Sequence, residues 1–215
     1  MAIPYTKSKR ATFLPVRVPT DMRYNFFVTI DGEVSDKDFD KLVQLNDEMW
    51  FERTAEGTVE VMPPPKSLTG VICSKTTAQL LVWADEDETG VTFSSITGFK
   101  LPNSAIRSPK ASWVRRSRLA ALSQEQKEDY LPLCPDFVLE LRSATDRINR
   151  LKEKMEEYMA NGAQLGWLID PEERRVYVYR PNAEVEILEN PVSVSGESVL
   201  PGFALKLGKI FDSDF

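Results

Sequence analysis

The clearest hydrophobic pattern in the chain lies between Cys134 and Asp170, where two short apolar runs flank a helical stripe. Phe137-Val138-Leu139 is interrupted by Glu140, resumes at Leu141 and is followed by Arg142. A run that short, introduced by Pro135, predicts a strand buried in a sheet. Ile148, Leu151, Met155, Tyr158 and Met159 then recur at helical spacing, with Arg, Lys and Glu between them. Asn161-Gly162 supplies the helix stop. Leu165, Trp167, Leu168 and Ile169 predict a second buried strand, closed by Asp170-Pro171. The unit is strand, helix, strand, and its first strand carries a carboxylate and a guanidinium. A charge there is costly unless it is paired or functional.

Elsewhere the same patterns predict shorter elements. Phe26 to Ile30 reads as a short strand or approach segment, and Ser35, with Asp38 three residues on, as the N-cap of a helix carrying Phe39, Leu42, Val43 and Leu45. Trp50 to Arg53 and Thr58 to Met62 flank Glu56-Gly57, a hairpin signature, and Pro63-Pro64-Pro65 ends the second strand. An amphipathic helix over 67–84 carries Val71, Ile72, Leu80, Leu81 and Trp83, followed by an acidic turn from Asp85 to Glu88. Val91 to Phe93, Gly98 to Leu101 and Ala111 to Val114 read as strands, with a turn at Pro102-Asn103. Short helices are expected over 117–121 and 123–130. Arg175 to Tyr179, Val185 to Leu188 and Val192 to Val194 predict a small antiparallel meander that finishes the sheet. No internal repeat, heptad run or low-complexity segment interrupts this order.

Composition narrows the class. The 215 residues suit one domain with a proper core, here 26–215, preceded by an irregular arm over 1–25 that carries Lys7, Lys9, Arg10, Arg17 and Arg23. Apolar residues make up 42 % and charged residues 28 %, which excludes wholesale disorder. The net charge of −6 favours solubility and does not by itself point to nucleic acid. No stretch approaches the roughly 20 apolar residues of a membrane span, and no apolar signal-peptide core opens the chain. With only two cysteines, Cys73 and Cys134, a disulfide framework is not expected and a reducing cytoplasm is. The absence of histidine excludes Ser-His-Asp and Cys-His catalysis and every His-ligated metal site. Any chemistry must come from carboxylates, Lys, Arg, Tyr, Ser or Cys.

Glu140 and Arg142 share one strand face, because side chains alternate with period two. On the following helix Lys154 lies on the same flank as Arg147 and Tyr158, which could bring its ammonium over the sheet edge near Glu140. A carboxylate beside two cations suits metal-assisted phosphodiester hydrolysis, with the carboxylate on a divalent ion and a cation stabilising charge on the phosphate. A buried Glu–Arg pair without catalysis accounts for the same residues. A second segment, Arg107-Ser108-Pro109-Lys110-Ala111-Ser112-Trp113-Val114-Arg115-Arg116, together with Arg118, gathers five positive charges in an acidic protein. It is either a local phosphate-binding patch or a solvated loop.

Thr97-Gly98-Phe99, Leu101-Pro102-Asn103 and Arg107-Ser108-Pro109 come in order before the run from Pro135 to Ser143. Lys154-x-x-x-Tyr158, Gly162, Trp167 to Pro171 and Leu200-Pro201-Gly202-Phe203 follow. Together these motifs resemble the Uma-type restriction-endonuclease family of the PD-(D/E)XK nuclease superfamily, over roughly residues 30–210. The resemblance implies an α/β (α+β) fold, a mixed central sheet flanked by helices, with a divalent-metal site, magnesium or manganese, at one sheet edge. It makes Glu140 the metal-binding acid and puts Arg142 in the lysine position. Lys154 would supply the lysine function from the helix. The departure is Lys110, where the family pattern has a metal-binding aspartate. An ammonium there repels a divalent cation at short range, and Glu140 alone would make a weak magnesium site. Asp136 lies roughly 13 Å from Glu140 along an extended strand, too far to share one ion, and caps the strand start instead. Glu60 could point into the site, but nothing in the sequence places it there.

The resemblance implies a metal-dependent DNA endonuclease in which Glu140, Arg142, Lys154 and Lys110 form the catalytic region and Glu140 is the metal ligand, with Arg107, Arg115, Arg116 and Arg147 expected to contact nucleic acid. Because of Lys110, cleavage and the bound metal are expected to be weakened or lost. A non-catalytic nucleic-acid-binding module on the same fold is the alternative, and a protein-interaction domain using Trp50 or Trp113 is a third, although both tryptophans suit a core better. DNA is the expected partner, with no membrane. A homodimer, a common way for a nuclease to reach both strands, stays open.

Overall fold

Ser35 starts the first helix as its pattern predicts. Its hydroxyl accepts from the Asp38 N–H at 3.2 Å, capping α1 (Asp36–Leu45), which buries Phe39 and Leu42. The computed structural model describes residues 34–46, 49–62, 66–144 and 146–213. The N-terminal arm, the expected Phe26–Ile30 strand and Pro63 to Pro65 therefore lie outside the described residues. Two compact units are present, one up to Pro64 and the other from Pro65.

In the first unit α1 is followed by the antiparallel hairpin of β1 (Trp50–Arg53) and β2 (Val59–Met62). Gly57, at φ 85°, takes the left-handed position that its tight turn requires. Arg53 ties the hairpin to the helix start, donating to Val34 O at 2.9 Å and to Asp36 Oδ1 at 2.7 Å.

The second unit opens with α2 (Ser67–Asp87), β3 (Gly90–Ser94), β4 (Phe99–Lys100), β5 (Ile106–Arg107) and β6 (Ala111–Arg115). Two short helices follow, α3 (Arg116–Ala120) and α4 (Gln124–Glu128), the latter begun by a Ser123/Gln126 capping box. Then come β7 (Phe137–Leu141), α5 (Ile148–Ala160), β8 (Leu165–Asp170), β9 (Arg175–Tyr179), β10 (Glu186–Glu189), β11 (Ser193–Ser195), β12 (Ala204–Lys206) and α6 (Gly208–Phe211). Six strands form one sheet in the order β10-β9-β8-β7-β6-β3. Among the described strands of this sheet only β7 and β8 pair in parallel, and α5 supplies the crossover that such a pair requires.

Apolar clusters cover both faces of this sheet, which is why β7 and β8 are buried at every position. Phe137, Leu139, Leu141, Trp167 and Ile169 join Ile72, Leu80 and Ala84 of α2 and Leu205 and Ile210 from the C-terminal segment. Val138, Leu168 and Tyr177 join Met155 and Tyr158 of α5. Trp113, fully buried, belongs to the core.

Three expectations need correction. The acidic turn expected at Asp85 is the last turn of α2, and Glu88, at φ 58°, is its left-handed cap. The buried side of α2 is a narrow row, Ile72, Thr76, Leu80 and Ala84, while Leu81 is 44 % exposed. Thr76 sits in that row because its hydroxyl donates to Ile72 O at 2.8 Å. The expected meander stops at β10: β11 instead pairs with β12 in a separate two-stranded ribbon, burying only Val194 and Leu205. There Gln79 of α2 both donates to Lys206 O at 3.2 Å and accepts from Lys206 N at 2.9 Å. Lys75 Nζ donates to Lys209 O at 3.0 Å. The last segment thus finishes the open side of α2.

Candidate functional site

Glu140 is placed by a strand with no exposed position, yet its carboxylate is not alone. Lys154 Nζ lies 2.8 Å from Glu140 Oε1, with the two side chains 11 % and 1 % exposed. The Tyr158 hydroxyl donates to the same oxygen at 3.1 Å. Lys154 and Tyr158 are one helical turn apart on α5, so a single helix face delivers both donors. Helix α5 folds back onto β7 because the crossover between two parallel strands must cover the sheet.

The other side of Glu140 is set by strand register. In the antiparallel β6–β7 pair Ala111 faces Leu139, Ser112 faces Val138 and Trp113 faces Phe137. One step further along the same register, position 110 stands opposite Glu140. That position is half-buried and holds Lys110. Cys73 of α2 reports the same neighbourhood: burial pushes its thiol pKa up, Lys110 pulls it down and Glu140 pushes it up. The cluster therefore holds one carboxylate and two ammonium groups.

The other expected residues are distributed differently. Arg142 follows β7, and its guanidinium donates to Asp170 Oδ2 at 2.7 Å and lies 3.7 Å from Glu172 Oε2. The Asp170 hydrogen bond raises the Arg142 pKa above its ordinary value. Arg142 is thus engaged at the end of β8, by a carboxylate that the sequence pattern marked only as a strand stop. Arg107 is 6 % exposed and bonds Glu157 Oε2 at 2.6 Å, so it lies inside an ion pair and not on an open surface. Arg115 and Arg116 are exposed at the end of β6 and the start of α3, and Arg147 is the exposed N-cap of α5. Glu60 lies in β2 of the first unit. Asp136 accepts from Arg115 N at 2.9 Å and meets Arg118 Nη1 at 3.1 Å. Among the described residues no helix is long and apolar enough to cross a membrane.

The family model Uma2, described as "Putative restriction endonuclease", matches residues 36–208. The chain belongs to this family. A solved structure described as a putative nuclease belonging to DUF820, from Anabaena variabilis, is similar at a TM-score of 0.65 and 22 % identity, covering 75 % of this chain and 89 % of that one. At this identity the likeness is one of fold, a mixed sheet with helices in the restriction-endonuclease-like arrangement. No curated protein matches the chain.

Membership of Uma2 implies a divalent metal, so the donor set matters. Among the described residues no group of three or more Asp, Glu, Cys or His side chains is arranged to hold an ion. Glu140 brings one carboxylate, whose Oε1 is already taken by Lys154 and Tyr158. Opposite it in register stands an ammonium. A hard divalent cation needs several oxygen ligands and a negative surround, and these residues do not fit one.

Proposed function

We propose that this Uma2 protein binds DNA through its phosphates on a nuclease fold whose metal-dependent cleavage is weakened or absent. The observation that carries this reading is the lysine opposite Glu140. The resemblance leads one to expect a metal-binding carboxylate at this position, and the ammonium found there leaves the cluster a net excess of positive charge. Such a cluster favours a phosphate oxyanion directly, with the half-buried Lys110 as the charged donor and Lys154 behind it. Glu140 then serves to hold Lys154, and Tyr158 orients the carboxylate between them.

Calorimetric titration of magnesium and manganese into the protein and into Lys110→Asp tests the reading. The unmodified chain gives no saturable binding, and the variant gains roughly 10- to 100-fold in affinity from a two-unit change in local charge. Duplex binding by the unmodified chain persists in EDTA and weakens steeply with salt. Saturable metal binding by the unmodified chain, or plasmid cleavage that needs the metal, sinks it.

A further inference from the structure

We infer that Arg115 and Arg118, steered by the buried carboxylate of Asp136, form a nucleic-acid backbone contact separate from the Glu140 cluster. The inference rests on the DNA-binding reading above and names the surface that would carry it. Of the five cations between 107 and 118, Arg107 is buried against Glu157 and Lys110 stands opposite Glu140. The other three come to the surface where β6 passes into α3. Position 115 is five residues from 110, about 17 Å along an extended strand, a length that about five base-pair steps of duplex cover.

These guanidiniums are held on one edge and open on the other. Asp136, with its side chain 5 % exposed, meets Arg118 Nη1 at 3.1 Å and Arg115 Nε at 3.6 Å. The two arginine side chains remain 45 % and 35 % exposed. Arg115 also lies over the Trp113 ring, 5.7 Å from its centre, and Arg116 Nε donates to Glu88 O at 3.0 Å. A guanidinium has five N–H donors in a fixed fork. Using one or two inward leaves the rest aimed at solvent with part of the ordering cost already met. The three guanidiniums outweigh the shielded Asp136, and on their other side stands the acidic end of α2, Asp85 to Glu88, which the Gly90–Arg115 pair brings alongside. No large exposed apolar residue lies between 111 and 123 among the described residues, so the patch suits a polyanion and not an apolar protein face.

The test is fluorescence anisotropy of a labelled 30-base-pair duplex in EDTA across a salt series. The full chain is compared with Arg115→Ala/Arg118→Ala and Arg115→Lys/Arg118→Lys. Loss of two phosphate contacts lowers the slope of log affinity against log salt by about 1.8 and weakens binding on the order of 50-fold at 0.1 M salt; the lysine pair keeps the slope. If the alanine pair does not fold, Arg115→Gln alone lowers the slope by about 0.9. A folded alanine pair with an unchanged slope overturns the inference and leaves the DNA-binding reading standing, with these arginines merely pairing Asp136. No duplex binding by the unmodified chain at low salt overturns both.

Discussion

Asp136 and Glu140 bracket one strand, β7, and both carboxylates are buried, but the two ends are built differently. At the Asp136 end the partners are a backbone N–H and two arginines that reach out to water. At the Glu140 end the partners are Lys154 and Tyr158, both delivered from within the core by α5. The cause is what the register sets opposite. Asp136 meets the end of β6 as it leaves the sheet, whereas Glu140 lies one step beyond the last β6–β7 pair, Ala111–Leu139, on the side of Lys110. The lesson is that a buried acid is not a site by virtue of burial; the solvent access of its partners decides whether the charge is shared with the outside.

The sharpest way to break this comparison is to remove the inner partner. Lys154→Met removes the ammonium that lies 2.8 Å from the buried Glu140 carboxylate, leaving the Tyr158 hydroxyl and the half-buried Lys110, and costs about 3–5 kcal/mol of stability. Adding Glu140→Leu restores most of it, as urea denaturation of the single and double variants would show. A single variant as stable as the parent would mean that Glu140 reaches water after all. The outer end responds less. Asp136→Asn costs about 1–2 kcal/mol, because Arg115 and Arg118 can turn into solvent and their pairing is already screened; a loss as large as that of Lys154→Met would erase the distinction.

Two free thiols report the ends separately, and the effect there is smallest. Cys134, two residues before Asp136, is pushed up to about 12, chiefly by burial, and stays unreactive toward iodoacetamide at pH 8.5. Cys73 is also raised by burial, but Lys110 opposes the shift. Lys110→Asp removes a cation and adds an anion, so the thiolate fraction falls and alkylation of Cys73 slows several-fold. The sign for stability follows from the raised Cys134 pKa. Its contribution is intact below the unfolded thiol pKa and declines as pH climbs from about 9 toward 12, by about 1.4 kcal/mol per unit.

Much of the fold was legible because it rests on local pattern. The run Phe137 to Leu141, the stripe from Ile148 to Met159 and the cap at Ser35 each specify their element within a few residues. The C-terminal ribbon was not, since Ala204–Lys206 alternates over three residues only and acquires its partner through tertiary packing. In the site, the approach of Lys154 to Glu140 followed from helical spacing. The pairing of Arg142 with Asp170 did not, because it joins residues that are 28 apart in the chain and neighbours only once β7 and β8 lie side by side. Arg107 misled for a related reason. A basic run gives charge but not depth, and Glu157, the partner that draws Arg107 inward, lies 50 residues away.

The closure of α2 by the last segment has a consequence during synthesis. Gln79 and its partner Lys206 are 127 residues apart, so at about 5–20 residues per second the helix waits roughly 6 to 25 s for the strand that completes it. Throughout that time the row of Ile72, Leu80 and Ala84 lacks Leu205 and Ile210, which share its cluster in the finished protein. The nascent chain therefore carries an adhesive, half-finished helix until Leu205 and Ile210 have been made, and its yield in a cell depends on how well that helix is shielded over that interval.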